Sequence, residues 1–328
     1  MPRPGALDVY MDPFRILVVR LGAMGDVIHA LPAVATLKHS FPHSRVSWVL
    51  RSRWMPLVEG NPFVDEVIPF DRTMRGIGGA WHRLRAERFN LAVDLQGLIQ
   101  SALVAGLSRA DKIVGFDRSQ AAERWASLFY STGVVTNSAH IVDRNLELVG
   151  AAGASSILRA FPLPDGTPEG RLPDGKFVLA SPFAGWGAKQ WPLERFEQLA
   201  KLLDVPLVVN GTPDSAEMLQ RIRGAHVHIS GITGLIDATR RAHAVVGVDS
   251  GPMHLAAALG KPGVAIFGAT DPARNGPYGG SLRVLRSAAA VTTYKRNASD
   301  NHMRAIGADA VAEALAAALE SKPAGCSA

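Results

Sequence analysis

Residues 245–272, VVGVDSGPMHLAAALGKPGVAIFGATDP, leave the chain little freedom of fold. VVGVD (245–249) is a β-branched run of the kind buried strands use. Ser250 and Gly251 follow as a small-residue cap and turn. Pro252 suits a first helical turn, where its missing N–H costs nothing. MHLAAAL carries the helix, and Gly260, Lys261 and Pro262 stop it before the next strand, VAIFG (264–268). An acid, a hydroxyl and a glycine therefore stand where a strand ends and a helix begins. Backbone N–H groups and the helix dipole favour a phosphate there, in the crevice where open α/β sheets bind ligands.

The same alternation runs through the chain. Apolar strands are expected at 15–22, 45–50, 64–70, 91–97 and 112–116, with helices at 23–41, 81–89, 101–109, 121–130 and 140–153. The texture then changes: residues 154–176 are rich in proline and glycine and read as a linker. A second alternation follows. Strands fall at 177–183 and 206–211 and in the two runs above; helices fall at 191–203, 214–222, 234–242 and 307–320. The expected fold is α/β, two Rossmann-like doubly wound domains facing a central cleft. The expected division is a flexible leader (1–14), an N-terminal domain (15–160), a linker (161–176) and a C-terminal domain (177–328) with a closing helix.

Composition narrows the classes. In 328 residues, 47% are hydrophobic and 20% charged, an ordinary globular balance. No apolar run approaches the roughly 20 residues that span a bilayer, and the N-terminus lacks the apolar core of a secretory signal. The one cysteine, Cys326, excludes an internal disulfide framework and fits a reducing cytoplasm. The net charge of +6 is uneven: Arg72, Arg75, Arg83, Arg85 and Arg88 face one acid, Glu87, with Trp81 and Phe89 alongside. Such a segment suits anionic lipid, a phosphorylated acceptor or RNA, or is simply a solvated helix face.

Four places could carry chemistry. In LGAMGDVIHALPA (21–33), Gly22 and Gly25 permit a tight strand-to-helix turn, and Asp26 lands at the helix start. Asp26 is either a helix cap or a general base; the second role calls for a raised pKa, through burial away from cations. His29, one turn on, either faces the same way or packs. In SPFAGWGAKQWP (181–192), Lys189 either meets a phosphate as a point charge or lies on the surface. In VNGTPDSAEMLQRI (209–222), Glu217 either holds ribose hydroxyls or is an exposed helix acid. Asp249, Ser250 and Gly251 form the crevice described above, with His254 on the first helical turn and Thr270 and Asp271 facing it. His254 is either a donor to phosphate or sugar, or a satisfied buried histidine. Walker A, GxGxxG, GxSxG and HExxH patterns are absent.

RILVVRLGAMGDVIHALPAV, VDLQGLIQSAL, SPFAGWGAKQWP and the 245–272 unit, in that order, resemble the ADP-heptose:lipopolysaccharide heptosyltransferases of glycosyltransferase family 9, which have the GT-B fold. ERWASLFY (123–130) with HIVDRNLELV (140–149) looks most like the heptosyltransferase I branch. The resemblance implies inverting transfer of L-glycero-D-manno-heptose from ADP-heptose to the Kdo of Kdo-lipid A, in lipopolysaccharide inner-core biosynthesis. It implies no cofactor and no obligatory metal. Asp26 matches the family's catalytic base; Lys189, Asp249, Ser250, Gly251 and His254 match its donor site, with Glu217 as the candidate ribose acid. Gly25, Arg51, Arg53, Arg118 and Arg124 are the acceptor-side candidates. The expected place of work is cytoplasmic, peripheral on the inner face of the cytoplasmic membrane, with no nucleic acid as partner. One departure is visible: relatives carry cysteines before a CM pair where this chain has His302 and Met303. Alternatives are heptosyltransferase II, a member with another nucleotide sugar or acceptor, or a two-lobed sugar- or nucleotide-binding protein without catalysis.

Overall fold

Two six-stranded sheets, parallel throughout, organise the computed structural model, which describes residues 13–293 and 301–320. The first lobe runs β1 (Arg15–Val19), α1 (Met24–Ser40), β2 (Arg45–Leu50), β3 (Glu66–Pro69), α2 (Met74–Ala86), β4 (Leu91–Asp94), α3 (Ile99–Leu107), β5 (Lys112–Phe116), β6 (Thr132–Val134) and α4 (Ile141–Ala151). The second runs β7 (Val178–Ser181), α5 (Leu193–Leu202), β8 (Leu207–Gly211), α6 (Ala216–Gln220), β9 (His226–Ile229), α7 (Ile232–Arg241), β10 (Ala244–Val248) and α8 (Gly251–Ala258). It continues with β11 (Gly263–Phe267), α9 (Pro272–Asn275), β12 (Leu282–Arg286), α10 (Asn301–Arg304) and α11 (Ala308–Glu320). The strand orders are β3-β2-β1-β4-β5-β6 and β12-β11-β10-β7-β8-β9. Counted from its own first strand, each lobe has the doubly wound order 3-2-1-4-5-6.

The central strands are buried on both faces, as parallel sheets covered by helices must be, and they read as continuous apolar runs. The edges depart from the expected pattern. β6, β9 and β12 were not expected; each is an edge strand, short or partly exposed and less uniformly apolar. Residues 121–130 hold a 3-10 turn at Arg124–Phe129 instead of an α-helix. The helix expected at 81–89 starts earlier, where the Thr73 hydroxyl caps it by accepting from Gly76 N–H at 3.0 Å.

Residues 161–176 hold no helix or strand, yet they are fastened to both lobes. Asn61 donates to the Pro162 carbonyl, and Arg240 donates to the carbonyls of Leu163 and Pro164. Glu169 caps α7, accepting from Gly231 N–H at 2.6 Å and from the Thr233 hydroxyl at 2.6 Å. α11 packs on α5, β11 and β12, within the second lobe. α1 is buried along most of its length, with α4 on one flank and α8 of the opposite lobe on another. Residues 1–12 of the expected leader, and Cys326, lie outside the described residues.

Candidate active site

In each sheet the chain reverses direction of growth beside its first strand, at β1/β4 and at β7/β10. A crevice opens at the carboxyl ends of such strand pairs. The two crevices face one cavity of about 460 Å³ that takes Asp26 and His29 from the first lobe and Lys189, Asp249, Ser250 and His254 from the second.

Arg20 follows β1 directly and is 6% exposed. Its guanidinium donates to the Leu95 carbonyl, at the end of β4, and meets Asp26 Oδ1 at 2.7 Å. Asp26 Oδ2 accepts from the Ala23 N–H at 2.9 Å, so the side chain also serves the helix start. The carboxyl remains 42% open to the cleft. The raised pKa expected of a base is absent. Burial pushes the value up, but the Arg20 charge and the hydrogen bonds from Ala23 and Arg20 outweigh it, so Asp26 titrates below the ordinary carboxylate range. Asp26 is therefore a persistent carboxylate held in fixed orientation.

Gly22 is the turn residue: φ is +126°, and a Cβ there would strike the Trp54 indole. Gly25 has a different use from the expected turn. It lies inside α1, where a Cβ would sit 2.5 Å from His254 Cδ2. Gly251 is its counterpart, where a Cβ would sit 2.7 Å from Met24 Cβ. The amino ends of α1 and α8 thus approach across the cleft only because both positions lack a side chain. Two positive helix ends converge there.

On the second lobe, Lys189 Nζ lies 2.6 Å from Asp249 Oδ2 and 4.4 Å from the Trp186 ring centroid. Asp249 is buried, accepts also from the Thr270 hydroxyl at 2.5 Å, and does not cap α8. Ser250 is the N-cap residue, but its hydroxyl is buried with no partner among the described residues. Asp271 caps α9 by accepting from Ala273 N–H at 2.9 Å.

Three histidines meet edge to face between the lobes. His29 and His254 rings are 4.2 Å apart, and His29 and His140 are 5.6 Å apart. Burial lowers the pKa of all three, His254 to about 4 against the pull of Asp249 and Asp26, so they are neutral at pH 7. His254 Nδ1 and His29 Nε2 have no partner among the described residues.

A second cavity of about 340 Å³ adjoins the first through Met24, Trp54, Phe183 and Pro252. Asn210, Thr212 and Ser230 supply polar groups and Ile232 and Leu235 an apolar wall, a shape and chemistry that fit a nucleoside. Glu217 is exposed on α6 and lines neither cavity, so the structure does not bring it to the site. The acceptor-side arginines line neither cavity, although Arg53 lies over Trp54, which lines both. Arg51 is half-buried after β2, Arg53 stacks on Trp54 at 4.5 Å, and Arg118 and Arg124 flank Trp125 at 5.2 and 4.6 Å after β5. All four rim the first lobe beyond strand ends. Thr270, expected to face the crevice, does so by bonding Asp249, whereas Arg20 and Asn210 were not among the sequence candidates. Arg20 alone left a signal: a cation closing an otherwise apolar strand.

The model of glycosyltransferase family 9 (heptosyltransferase) matches residues 77–303, which include Lys189, Asp249 and His254. The chain belongs to this family. Lipopolysaccharide heptosyltransferase 1 of Escherichia coli strain K12 is 29% identical over 308 residues, covering 83% of this chain and 93% of that protein. The protein of the same name from Pseudomonas aeruginosa PAO1 is 29% identical over 300 residues, covering 81% and 82%. Among solved structures, the E. coli heptosyltransferase WaaC with ADP superposes with a TM-score of 0.77 at 25% identity, covering 93% of this chain and 99% of that one. This family 9 glycosyltransferase therefore has the two-domain GT-B fold, with its cleft residues at the switch points of both sheets.

Proposed function

We propose that this enzyme transfers L-glycero-D-manno-heptose from ADP-heptose to the Kdo of Kdo-lipid A, inverting the anomeric centre, at the cytoplasmic face of the inner membrane. The observation that carries the reading is the convergence, in one cavity, of an ion-paired carboxylate from one lobe and a lysine with a helix amino end from the other. The names of the E. coli and P. aeruginosa relatives support the heptosyltransferase 1 assignment, and the WaaC structures with ADP and with ADP-2-deoxy-2-fluoro heptose support the donor.

In this reading the adenosine takes the 340 Å³ cavity and the diphosphate lies against the amino end of α8. Lys189 and the unpartnered Ser250 hydroxyl donate to it. Asp249 Oδ2 is engaged by Lys189 and Thr270, while Oδ1, 3.8 Å from His254 Nε2, accepts from a sugar hydroxyl. The acceptor oxygen bonds to the anomeric carbon from the first-lobe side. The bond from that carbon to the β-phosphate oxygen breaks, and its electrons leave with ADP. Asp26 takes the acceptor proton late, as bond formation makes the hydroxyl acidic, so a low-pKa carboxylate suffices. Positive charge at the leaving group comes from Lys189 and the α8 amides.

The test is incubation with ADP-heptose and Kdo-lipid A, reading ADP release and a mass gain of one heptose. Transfer only to an acceptor already carrying a heptose would assign heptosyltransferase II. Donor binding without transfer to either would assign a binding protein. The proposed reaction uses no metal, so the rate should hold in excess EDTA; loss of activity there would show that a metal takes part.

A further inference from the structure

α2 is an unusual helix for a protein surface. Only Ala80 and Leu84 are buried, while Met74 (89% exposed), Ile77 and Trp81 (45%) form a stripe at helical spacing that faces solvent. The apolar surface continues beyond it. α3, which packs against both α2 and the 124–129 turn, exposes Ile99 and Leu103, and the turn exposes Trp125 (47%) and Leu128 (71%). Two hydrogen bonds tie the starts of the three segments together: Arg72 donates to Gln100 at 2.8 Å, and Ile99 N–H donates to Glu123 at 2.7 Å.

Arginines are interleaved with this surface. Arg85 lies over the Trp81 ring at 5.0 Å, and Arg118 and Arg124 lie over Trp125 at 5.2 and 4.6 Å. Among the described residues neither these three nor Arg75 pairs with a carboxylate, whereas Arg83 and Arg88 are held by Glu66 and Asp111. Tryptophan with arginine over it, beside protruding aliphatic side chains, combines an apolar tip with an available cation. That pairing fits the boundary between acyl chains and anionic headgroups.

We infer that the face formed by α2, the amino half of α3 and the Arg124–Phe129 turn docks on an anionic lipid surface. Charge complementarity selects this occupant: a second copy of the chain would set like-charged arginines against each other. The location fits the reaction, and here the inference rests on the proposed lipid acceptor. The loop that starts α3 also carries Gln96, whose side chain accepts from Leu21 N–H at 2.7 Å beside the turn that presents Asp26. Docking by this face therefore holds the base close to the headgroup plane.

The experiment is co-sedimentation with phosphatidylcholine vesicles, with and without phosphatidylglycerol, and with no Kdo-lipid A or ADP-heptose present. The protein should bind the anionic vesicles, and Met74→Glu/Trp81→Glu/Leu128→Glu should weaken that binding at least about tenfold. The variant should keep its melting temperature and its rate on a soluble, deacylated Kdo acceptor, and lose rate on vesicle-embedded acceptor. Binding unchanged in the variant, or none by the parent, overturns the inference. So does a change of oligomeric state in the variant, or parent binding to RNA and not to vesicles. Vesicle binding without heptosyl transfer would instead overturn the proposed reaction and leave this surface standing.

Discussion

In the proposed reaction, Asp26 and Arg20 set the chemistry at the scale of single residues. Because Arg20 holds the Asp26 pKa below the ordinary range, this carboxylate stays ionised into acid. The acid limb of kcat/KM should appear only as pH falls through that lowered value, below the roughly 3.9 of a free aspartate. Arg20→Gln removes the lowering charge and leaves burial, so the limb should move to higher pH; an unmoved limb would show that Asp26 does not set it. Asp26→Asn should lower kcat by a factor on the order of 10² to 10⁴ while ADP-heptose still binds. A rate near that of the parent would remove Asp26 from the mechanism. The place of Asp26 in the cleft was legible from its position at the turn after the first strand. Its ionisation was not, because Arg20 acts on it through a contact that a sequence pattern does not encode.

Elements set the distance between Asp26 and Lys189, the two halves of the proposed reaction. The amino ends of α1 and α8 meet through Gly25 and Gly251, each with its missing Cβ filled by the other helix. Gly25→Ala would drive a methyl into His254 Cδ2, an overpacking of about 1–3 kcal/mol unless the helices separate. Separation moves Asp26 away from Lys189. The expected result is a fall in kcat on the order of tenfold to a hundredfold with the fold retained, measured beside the melting temperature. Unchanged kcat would mean that the helices need not touch. The interior strands and most helices were legible because burial on both faces demands continuous apolar runs. The edge strands β6, β9 and β12 were not, since one side meets solvent and their pairing comes from the neighbouring strand. Gly25 was legible as a small residue near a turn, but its purpose depends on a histidine from the other lobe.

At the scale of the whole molecule, the lobes meet over neutral histidines. His140 contacts the Gly276 carbonyl at 3.1 Å, and the Tyr278 hydroxyl donates to Asp143 at 2.8 Å, both across the lobes. Unfolded histidine titrates near 6.5, whereas burial takes His254 to about 4 and lowers His29 and His140 as well. The unfolded chain thus binds more protons between those values. Stability is full above pH 6.5 and falls as pH drops toward 4, by about 3 kcal/mol for His254 alone. The urea midpoint should decline between pH 6.5 and 5, before most carboxylates titrate; a flat midpoint there would place the histidines in a wetter interface.

By itself the sequence determined the doubled α/β architecture, the phosphate-favouring crevice at 249–251 and the family resemblance. All three rest on local order: apolar periodicity, caps and breakers act over a few residues and survive being read one after another. The tertiary structure decided which charges meet. It paired Arg20 with Asp26 and Lys189 with Asp249, left Glu217 outside the cleft, and set His29 edge-on against His254. Electrostatic and steric effects of that kind fall away within a few ångströms, so residues distant in the chain exert them only after folding has set their separation.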